Sequence, residues 1–332
     1  MAVYTDIDDP SEYFQTKLYT GTNNELVLTF DGNSDIQPNM IWTKNRGRAA
    51  NHVLSDTVRG IGKGIYPDTT GAEGDTNYIS AIGSDGYTIV ATDSVEINRD
   101  DDTFVSWNWK ESATAGMDIV SYTGNATART ISHSLSAVPA WMIIKCRSED
   151  GHSWKVYHKS IGATKTLALQ NNSTPDDDNN YHDDTEPTSS VFTIGSNGDV
   201  NDDGETFIAY LFAEKQGFSK FGSYIGNGQA DGTYVHLGFS PAWIMRKKTS
   251  GTENWTIHDN KRDTHNVTFK RLLANDSGAE YDSASNQVDL LSNGFKCRAS
   301  NDGGNADDGQ YIYMAFAEQP FVTSTGVPAT AR

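Results

Sequence analysis

The sequence predicts an all-β protein made of three tandem antiparallel β-sandwich repeats, each of about 100 residues. Three observations lead to this fold class. A Pro-led apolar motif occurs three times at a constant spacing, short apolar stretches are separated by turns rich in Gly, Asn and Asp, and sustained helical periodicity is absent. Jelly-roll and concanavalin-like strand orders both fit this pattern, and the sequence does not decide between them.

The Pro-led motif is the main signal. Pro38, Pro139 and Pro241 each precede apolar residues at the second, third and fourth following positions, and a Lys stands six positions after each Pro. The motif has the composition of a strand with Pro at its entry, where a missing N–H is tolerated. Three copies at a constant period predict three strands in equivalent positions.

The period also sets the boundaries of five segments. We predict an N-terminal arm at residues 1–12, unit 1 at 13–112, unit 2 at 118–215, unit 3 at 218–319 and an extended C-terminal tail at 320–332. Linkers of only a few residues join the units. We therefore expect a stiff string of sandwiches rather than a flexible chain of domains.

Composition excludes several classes of partner. With 44 Asp and Glu against 26 Lys and Arg, the formal net charge is −18, so we expect no nucleic-acid partner. A run of about 18 apolar residues is absent and the start lacks the features of a signal peptide, which predicts no membrane insertion and synthesis in a cytoplasm. Cys146 and Cys297 fall on different units and are expected to be buried thiols.

Three stretches carry a resemblance to a known family: Tyr13-Phe14-Gln15-Thr16-Lys17-Leu18-Tyr19-Thr20-Gly21, Phe239-Ser240-Pro241-Ala242-Trp243-Ile244, and the ending at residues 316–332. With the three units, they resemble repeat-containing structural proteins of marine tailed phages such as cyanophages. The resemblance covers nearly the whole chain. It implies a virion component, made in the host cytoplasm and exposed on the particle, of the tail-fibre or appendage type that takes part in host attachment. It implies no catalytic residue.

The expected partners follow from that resemblance. The arm would dock on other virion proteins, and the exposed surface would meet a host glycan or receptor. Appendage proteins are usually symmetric homo-oligomers, so a homotrimer is expected by analogy. A capsid-decorating protein and a stand-alone carbohydrate-binding, lectin-like module are the alternatives.

The sequence offers no catalytic motif. It contains no HExxH, no GxSxG and no Cys/His cluster with zinc spacing. Its adjacent carboxylates occur in runs, such as residues 100–102 and 176–178, which are typical of solvated loops. We therefore expect a non-enzymatic protein.

One loop of unit 2 has the composition of a calcium site. Asp199, Asn201 and Asp203 match the D-x-N-x-D-G start of an EF-hand loop, but the position of the bidentate Glu is occupied by Tyr210. A true EF-hand is therefore excluded. An open Ca²⁺ loop and a solvated acidic loop both fit these residues, and no other cofactor is expected.

A second loop of unit 2 is a candidate for receptor or carbohydrate binding. It spans residues 171–184, is rich in Asn and Asp, and is predicted to be exposed because its acidic side chains repel one another. Tyr181 would stack on a sugar while Asp183 and Asp184 would accept hydrogen bonds from its hydroxyls. A passive solubilising loop is the other interpretation.

The repeated tryptophans favour a structural role. Trp141, Trp154, Trp243 and Trp255 lie in apolar strands, so packing in the core is favoured over stacking on sugars.

A repeated pair of charges follows the short strand of units 1 and 3. Asp56 and Asp259 are each followed three residues later by an arginine, and a local ion pair is the simplest interpretation. Unit 2 lacks the pair, since His158 and Ile161 stand there.

Overall fold

The computed structural model describes residues 5–329. Nearly every element is a strand, and the two α-helices each span a single turn. No helix within that range is long and apolar enough to cross a membrane. The strands pair in antiparallel fashion, so the predicted all-β antiparallel sandwich class is confirmed. Residues 1–4 of the predicted arm and 330–332 of the predicted tail lie outside the described residues.

The three units have their elements in a similar order. A short 3₁₀ turn at Pro10–Glu12 precedes unit 1, whose strands are β1 (Phe14–Thr20), β2 (Leu26–Leu28), β3 (Met40–Asn45), β4 (Val53–Asp56), β5 (Lys63–Gly64), β6 (Gly74–Asp75), β7 (Ile79–Gly83), β8 (Gly86–Ile89) and β9 (Thr103–Trp109). Unit 2 contains β10 (Met117–Thr123), β11 (Arg129–Ser132), β12 (Pro139–Cys146), β13 (Lys155–His158), β14 (Lys165–Ala168), β15 (Asp176–Asp177), α1 (Asn179–His182), β16 (Val191–Ile194), α2 (Gly198–Asn201) and β17 (Thr206–Ala213). Unit 3 contains β18 (Ser219–Ile225), β19 (Tyr234–His236), β20 (Phe239–Lys248), β21 (Thr256–Asp259), β22 (Lys270–Leu273), β23 (Tyr281–Asp282), β24 (Val288–Leu291), β25 (Gly294–Cys297) and β26 (Gln310–Pro320).

Each unit has one large and one small sheet, and unit 1 has in addition a two-stranded sheet of β5 and β6. The large sheets have the orders β1-β9-β3-β4, β10-β17-β12-β13-β14-β15 and β18-β26-β20-β21-β22-β23. The small sheets have the orders β2-β8-β7, β11-β16 and β19-β25-β24. In every large sheet the last strand of the unit lies between its first strand and its Pro-led strand.

The Pro-led strands occupy equivalent positions, as predicted. Pro139 and Pro241 each pair with an alanine near the end of the last strand, and the register shifts before pairing resumes two residues later. In unit 1, β3 begins two residues after Pro38. A register shift at this point lets the strand pass a residue that has no N–H to donate.

The two faces of each large sheet have different neighbours. One face packs on the small sheet of the same unit, as Ile41 and Phe104 do against Tyr87 in unit 1. The other face joins a central core to which all three units contribute. All seven tryptophans are at most 2% exposed, so the prediction that they pack in the core is confirmed.

Three aromatic residues at equivalent positions meet in the central core. Trp109, Phe212 and Phe316 lie near the ends of β9, β17 and β26, and each pairs with the first strand of its own unit. Their ring centroids are 6.4 Å apart for Trp109 and Phe212, 5.6 Å for Trp109 and Phe316, and 5.8 Å for Phe212 and Phe316. The units therefore form a closed ring in which unit 1 contacts unit 3. The expectation of a linear string was wrong because each large sheet has an apolar outer face that packs against the other two units.

The described part of the arm docks on its own chain. Thr5 donates a hydrogen bond from Oγ1 to the carbonyl of Gln216, 3.2 Å away in the linker between units 2 and 3. Ile7 is 4% exposed and belongs to the central core. Asp8 accepts a hydrogen bond from the backbone N–H of Ser324 at 2.7 Å. Docking of the arm on other virion proteins stays a prediction.

The described part of the tail differs from the extended segment that was predicted. Thr323 donates its backbone N–H to the carbonyl of Val327, and Ala329 donates to the carbonyl of Phe321. These bonds fold residues 321–329 into a tight loop beside the arm. Pro328, which has no N–H to lose, pairs with Val322 as an isolated bridge.

The aromatic contact at the centre gives a first test. We expect Phe212→Ala to destabilise the protein by about 3–5 kcal/mol, because it opens a cavity between all three units. Val138→Ala is the control, since Val138 is 54% exposed, and we expect a change within about 0.5 kcal/mol. Urea unfolding measures both. Similar losses in the two variants would show that the ring does not depend on its centre.

Candidate functional site

The predicted sugar-binding residues do not form one site. Tyr181 lies in α1, is only 7% exposed and packs in the core of unit 2. The ammonium of Lys155 lies 4.1 Å from the centre of its ring. Asp183 and Asp184 are exposed and both have a positive φ, of 50° and 48°. The expectation of an exposed aromatic was therefore wrong, because the one-turn helix directs Tyr181 inward while the following carboxylates remain outside.

The predicted calcium ligands also do not converge. Asn201 is 0% exposed, its Nδ2 donates to the carbonyls of Thr127 and Gly195, and its Oδ1 accepts from the backbone N–H of Asn125. Asp203 is exposed. The amide of Asn201 is thus engaged in closing a buried loop, whereas the carboxylate of Asp203 lies in an exposed position.

The third predicted ligand, Asp199, lies beside a different cluster. Its carboxylate accepts from the backbone N–H of Ser153 at 2.8 Å and faces Nδ1 of His152 at 3.5 Å. Ligand atoms of Glu149, His152 and Asp202 lie within 4.8 Å of one another. One imidazole and two carboxylates are a donor set that suits Zn²⁺ better than Ca²⁺. A hydrogen bond between His152 and Glu149, 3.2 Å long, accounts for the geometry of the cluster equally well.

Several buried polar and charged residues lie where the units meet. We call the contact between units 1 and 3 seam 1–3, the contact between units 2 and 1 seam 2–1, and the contact between units 3 and 2 seam 3–2.

Seam 2–1 contains a network of charges. Asp56 accepts hydrogen bonds from the Arg59 guanidinium and, at 2.6 Å, from the hydroxyl of Tyr210 in unit 2. Arg147 of unit 2 binds Glu73 through two N–H groups, both at 2.9 Å. Arg59 also lies 3.5 Å from Glu73, so the two ion pairs are connected. The predicted local pair is present, and its wider role is to link two units.

Seam 1–3 repeats this network. Asp259 accepts hydrogen bonds from the Arg262 guanidinium and, at 3.0 Å, from the indole N–H of Trp107 in unit 1. Arg46 of unit 1 binds Glu280 through two N–H groups at 3.0 and 2.8 Å. Arg262 lies 3.1 Å from Glu280. Trp107 and Tyr210 occupy the same strand position in their units.

Seam 3–2 has different chemistry at the equivalent positions. His158 replaces the Asp, Ile161 replaces the Arg, and Met314 replaces the donor supplied by Trp107 and Tyr210. Nε2 of His158 lies 3.3 Å from the carbonyl of Tyr313, a residue of unit 3. The carboxylate and its donor from the neighbouring unit are thus absent together, which avoids leaving either one buried without a partner.

The Lys of each Pro-led motif bridges to the neighbouring unit. Lys44, Lys145 and Lys247 are each 0% exposed. Their Nζ atoms donate to backbone carbonyls: Lys44 to Ser277 at 3.2 Å, Lys145 to Thr70 at 3.2 Å and Lys247 to Asn172 at 3.3 Å. Burial lowers the pKa of all three from 10.5 to about 8. The sequence contained a signal for this role. A Lys that occurs at the same position of three apolar strands indicates that its buried ammonium has a defined hydrogen-bond partner.

A third set of donors crosses the seams just before or at the start of the short strands. The hydrogen bonds join His52 Nε2 to Leu273 O, Trp154 Nε1 to Tyr66 O and Trp255 Nε1 to Ala168 O, each at 3.0 Å. In unit 1, Nδ1 of His52 accepts from Trp42 at 2.9 Å, which leaves Nε2 as the donor. Burial lowers the pKa of His52 well below 6.5, so its ring is neutral. The imidazole of His52 in unit 1 therefore makes the same kind of hydrogen bond across its seam as the indoles of Trp154 and Trp255 make across theirs.

The carboxylates of the seams provide a test of their strength. We expect Asp259→Asn to destabilise the protein by about 3 kcal/mol or more, because the buried Arg262 loses its nearest counter-charge. His158→Asn at the equivalent position of seam 3–2 is the matched control, with an expected loss of about 1 kcal/mol. Denaturant midpoints measure both variants. Equal losses would mean that the charge network contributes nothing beyond an ordinary hydrogen bond.

The buried lysines give a pH test. The folded-state pKa of Lys44, about 8, is below its ordinary 10.5, so between these pH values the unfolded chain holds a proton that the folded protein has released. The free energy of unfolding therefore rises with pH in that window, by up to ~1.4 kcal/mol per pH unit. We expect the stability difference between wild type and Lys44→Met to change in favour of wild type as pH rises. Urea titrations across the window measure it, with Lys63→Met on the surface as control; parallel pH profiles for all three proteins would contradict the assignment.

Comparison with known proteins identifies the family of the chain but assigns it no activity. No curated protein matches the chain. One family model, described as a domain of unknown function, matches residues 9–320 and therefore covers all three units as a single domain. The chain belongs to this family, DUF7483.

Proposed function

We propose that the chain is a non-enzymatic structural protein of a tailed-phage particle, a tail fibre or other appendage that takes part in host attachment. The observation that carries the proposal is the closed ring, in which buried polar side chains hold one unit to the next. The resemblance to marine phage structural proteins is our reason for placing the chain on a phage particle. The closed ring is the structural feature that suits a load-bearing part of such a particle.

The burial of the side chains that could act in catalysis supports a structural role. A catalytic acid or base must reach the substrate directly or through one water. Asp56, Asp259 and His52 have the chemistry for catalysis, but they are at most 2% exposed and bonded to neighbouring units. Groups held in this way stabilise the seams rather than act on a ligand.

The ring also bears on assembly. An appendage usually gains stiffness from three copies wound around an axis. Here three similar sandwiches of one chain surround the contact of Trp109, Phe212 and Phe316. A homotrimer, which we predicted by analogy, would form through surfaces other than this centre.

A capsid-decorating protein is the second candidate. A body with three similar units around one centre suits a position where three capsid subunits meet. The same internal symmetry therefore favours a threefold position on the shell as well as an appendage on the tail.

Purified particles test the proposal. We expect mass spectrometry of the intact phage to find the chain in a fixed ratio to the major capsid protein, and a particle map to show it as a three-lobed density. Density on the tail supports an appendage, and density on the shell supports decoration. A chain that is abundant in the lysate of infected cells but missing from purified particles would refute the virion role.

A further inference from the structure

Unit 2 brings one imidazole and two carboxylates together where two of its loops meet. Glu149 and His152 lie in the loop between β12 and β13, and Asp202 follows the one-turn helix α2. Nε2 of His152 lies 3.2 Å from Glu149 Oε2 and 3.9 Å from Asp202 Oδ2. Two donors bound to one tetrahedral Zn²⁺ ion lie about 3.4 Å apart, because each Zn–N or Zn–O bond is about 2.1 Å long. The two distances from Nε2 bracket that value.

A fourth side chain holds the imidazole in the orientation that a metal site needs. Asp199 faces the other ring nitrogen of His152, Nδ1, at 3.5 Å. The Asp199 carboxylate is itself fixed by the backbone N–H of Ser153 at 2.8 Å and by the ammonium of Lys155 at 3.4 Å. A histidine that binds a metal commonly donates its second ring N–H to a carboxylate in this way. This tautomer places a lone pair on Nε2, on the side of the other two carboxylates.

The charge of the cluster is unbalanced without a further cation. Among residues 5–329, the only ion-pair partner of Glu149 and of Asp202 is His152. Lys155 pairs with Asp199. Three carboxylates thus exceed the available cations by one charge even when the imidazole is protonated. A divalent ion bound to the neutral imidazole brings the same groups to zero net charge, since bound cations are often the largest local charges in a site.

The cluster is specific to unit 2. Glu149 stands ten positions after the Pro of its motif, and Asp202 follows the Asn201 that closes a loop. The equivalent positions carry two cations in unit 1, Arg48 and Arg99, and two small residues in unit 3, Gly251 and Ala306. The loop that contains His152 is also one residue longer than its counterparts. The fold therefore does not need these side chains, and both positions change together, as expected for residues that share one partner.

We propose that Glu149, His152 and Asp202 bind one Zn²⁺ ion and that Asp199 positions the imidazole. Water completes the tetrahedral coordination. An imidazole nitrogen among the donors favours Zn²⁺ over Ca²⁺ and Mg²⁺, which prefer oxygen ligands. The ion joins the loop between β12 and β13 to the segment after α2 and so fixes two loops of unit 2 to each other. The site goes beyond the virion role and does not depend on it.

Calorimetric titration of Zn²⁺ into the full, untagged chain, first freed of metal with EDTA, tests the proposal. We expect one ion per chain with a dissociation constant in the micromolar range, and Co²⁺ in place of Zn²⁺ should give the visible absorption of a tetrahedral ion. His152→Asn should abolish binding. Asp199→Asn, which keeps the three ligands but weakens the hold on the imidazole, should reduce the affinity about tenfold or more.

A matched control separates coordination from general charge. Asp203→Asn removes one exposed carboxylate next to the cluster and should leave the affinity for Zn²⁺ unchanged. Glu149→Gln is a second ligand variant in an exposed position, and it should weaken binding while thermal melts in EDTA match those of the wild type. Ca²⁺ at the same concentration should not displace Zn²⁺.

The outcomes that contradict the site are distinct from those that contradict the virion role. Absence of Zn²⁺ binding, equal binding by the wild type and a folded His152→Asn, or displacement by equimolar Ca²⁺ would overturn the proposal. A chain that is present in purified particles but binds no Zn²⁺ would keep the virion role and remove this site. A chain that binds Zn²⁺ but is missing from particles would do the reverse.

Discussion

The constraint on which the structure depends is the apolar outer face of each large sheet. A sandwich normally buries one face of each sheet against the other sheet and leaves the outer faces to solvent. Here the outer face of the large sheet carries aromatic residues such as Trp109, Phe212 and Phe316, and it is buried mainly against the other two units. In this chain the three faces are buried against one another around one centre, so burial of each face requires both of the other units.

The polar groups of the seams follow from that closure. A strand buried on both faces has few places for a charge, yet each Pro-led strand keeps a Lys whose ammonium reaches a carbonyl of the next unit. An apolar contact would tolerate sliding between sheets, whereas a donor that must meet one carbonyl fixes the register. Substitutions at the seams are coupled in the same way, since His158 and Met314 replace the carboxylate and its donor together.

Sequence analysis predicted those features of the fold that are local in the chain or repeated along it. The Pro-led strands, the buried tryptophans and the Asp–Arg pairs were all accessible because each involves neighbours in the chain or a constant spacing. The partners across the seams were not, since Asp259 and Trp107 are 152 residues apart and only the ring brings them together. The match of Asn201 to a calcium-ligand pattern has a structural explanation, because Asn98 and Asn305 stand at equivalent positions and also close loops through their amides. That repetition was visible in the sequence and indicated structure rather than metal binding.

Three similar seams in one chain allow one of them to change while the others hold the ring. In a homotrimer every substitution appears three times, so a cavity opened at one interface weakens all three. In a single chain, His158, Ile161 and Met314 replace the charge network at seam 3–2 while seams 2–1 and 1–3 keep theirs. Joining the units in one chain therefore allows one seam to lose its Asp–Arg pair while the other two keep it, so the units can share a strand order without sharing their side chains.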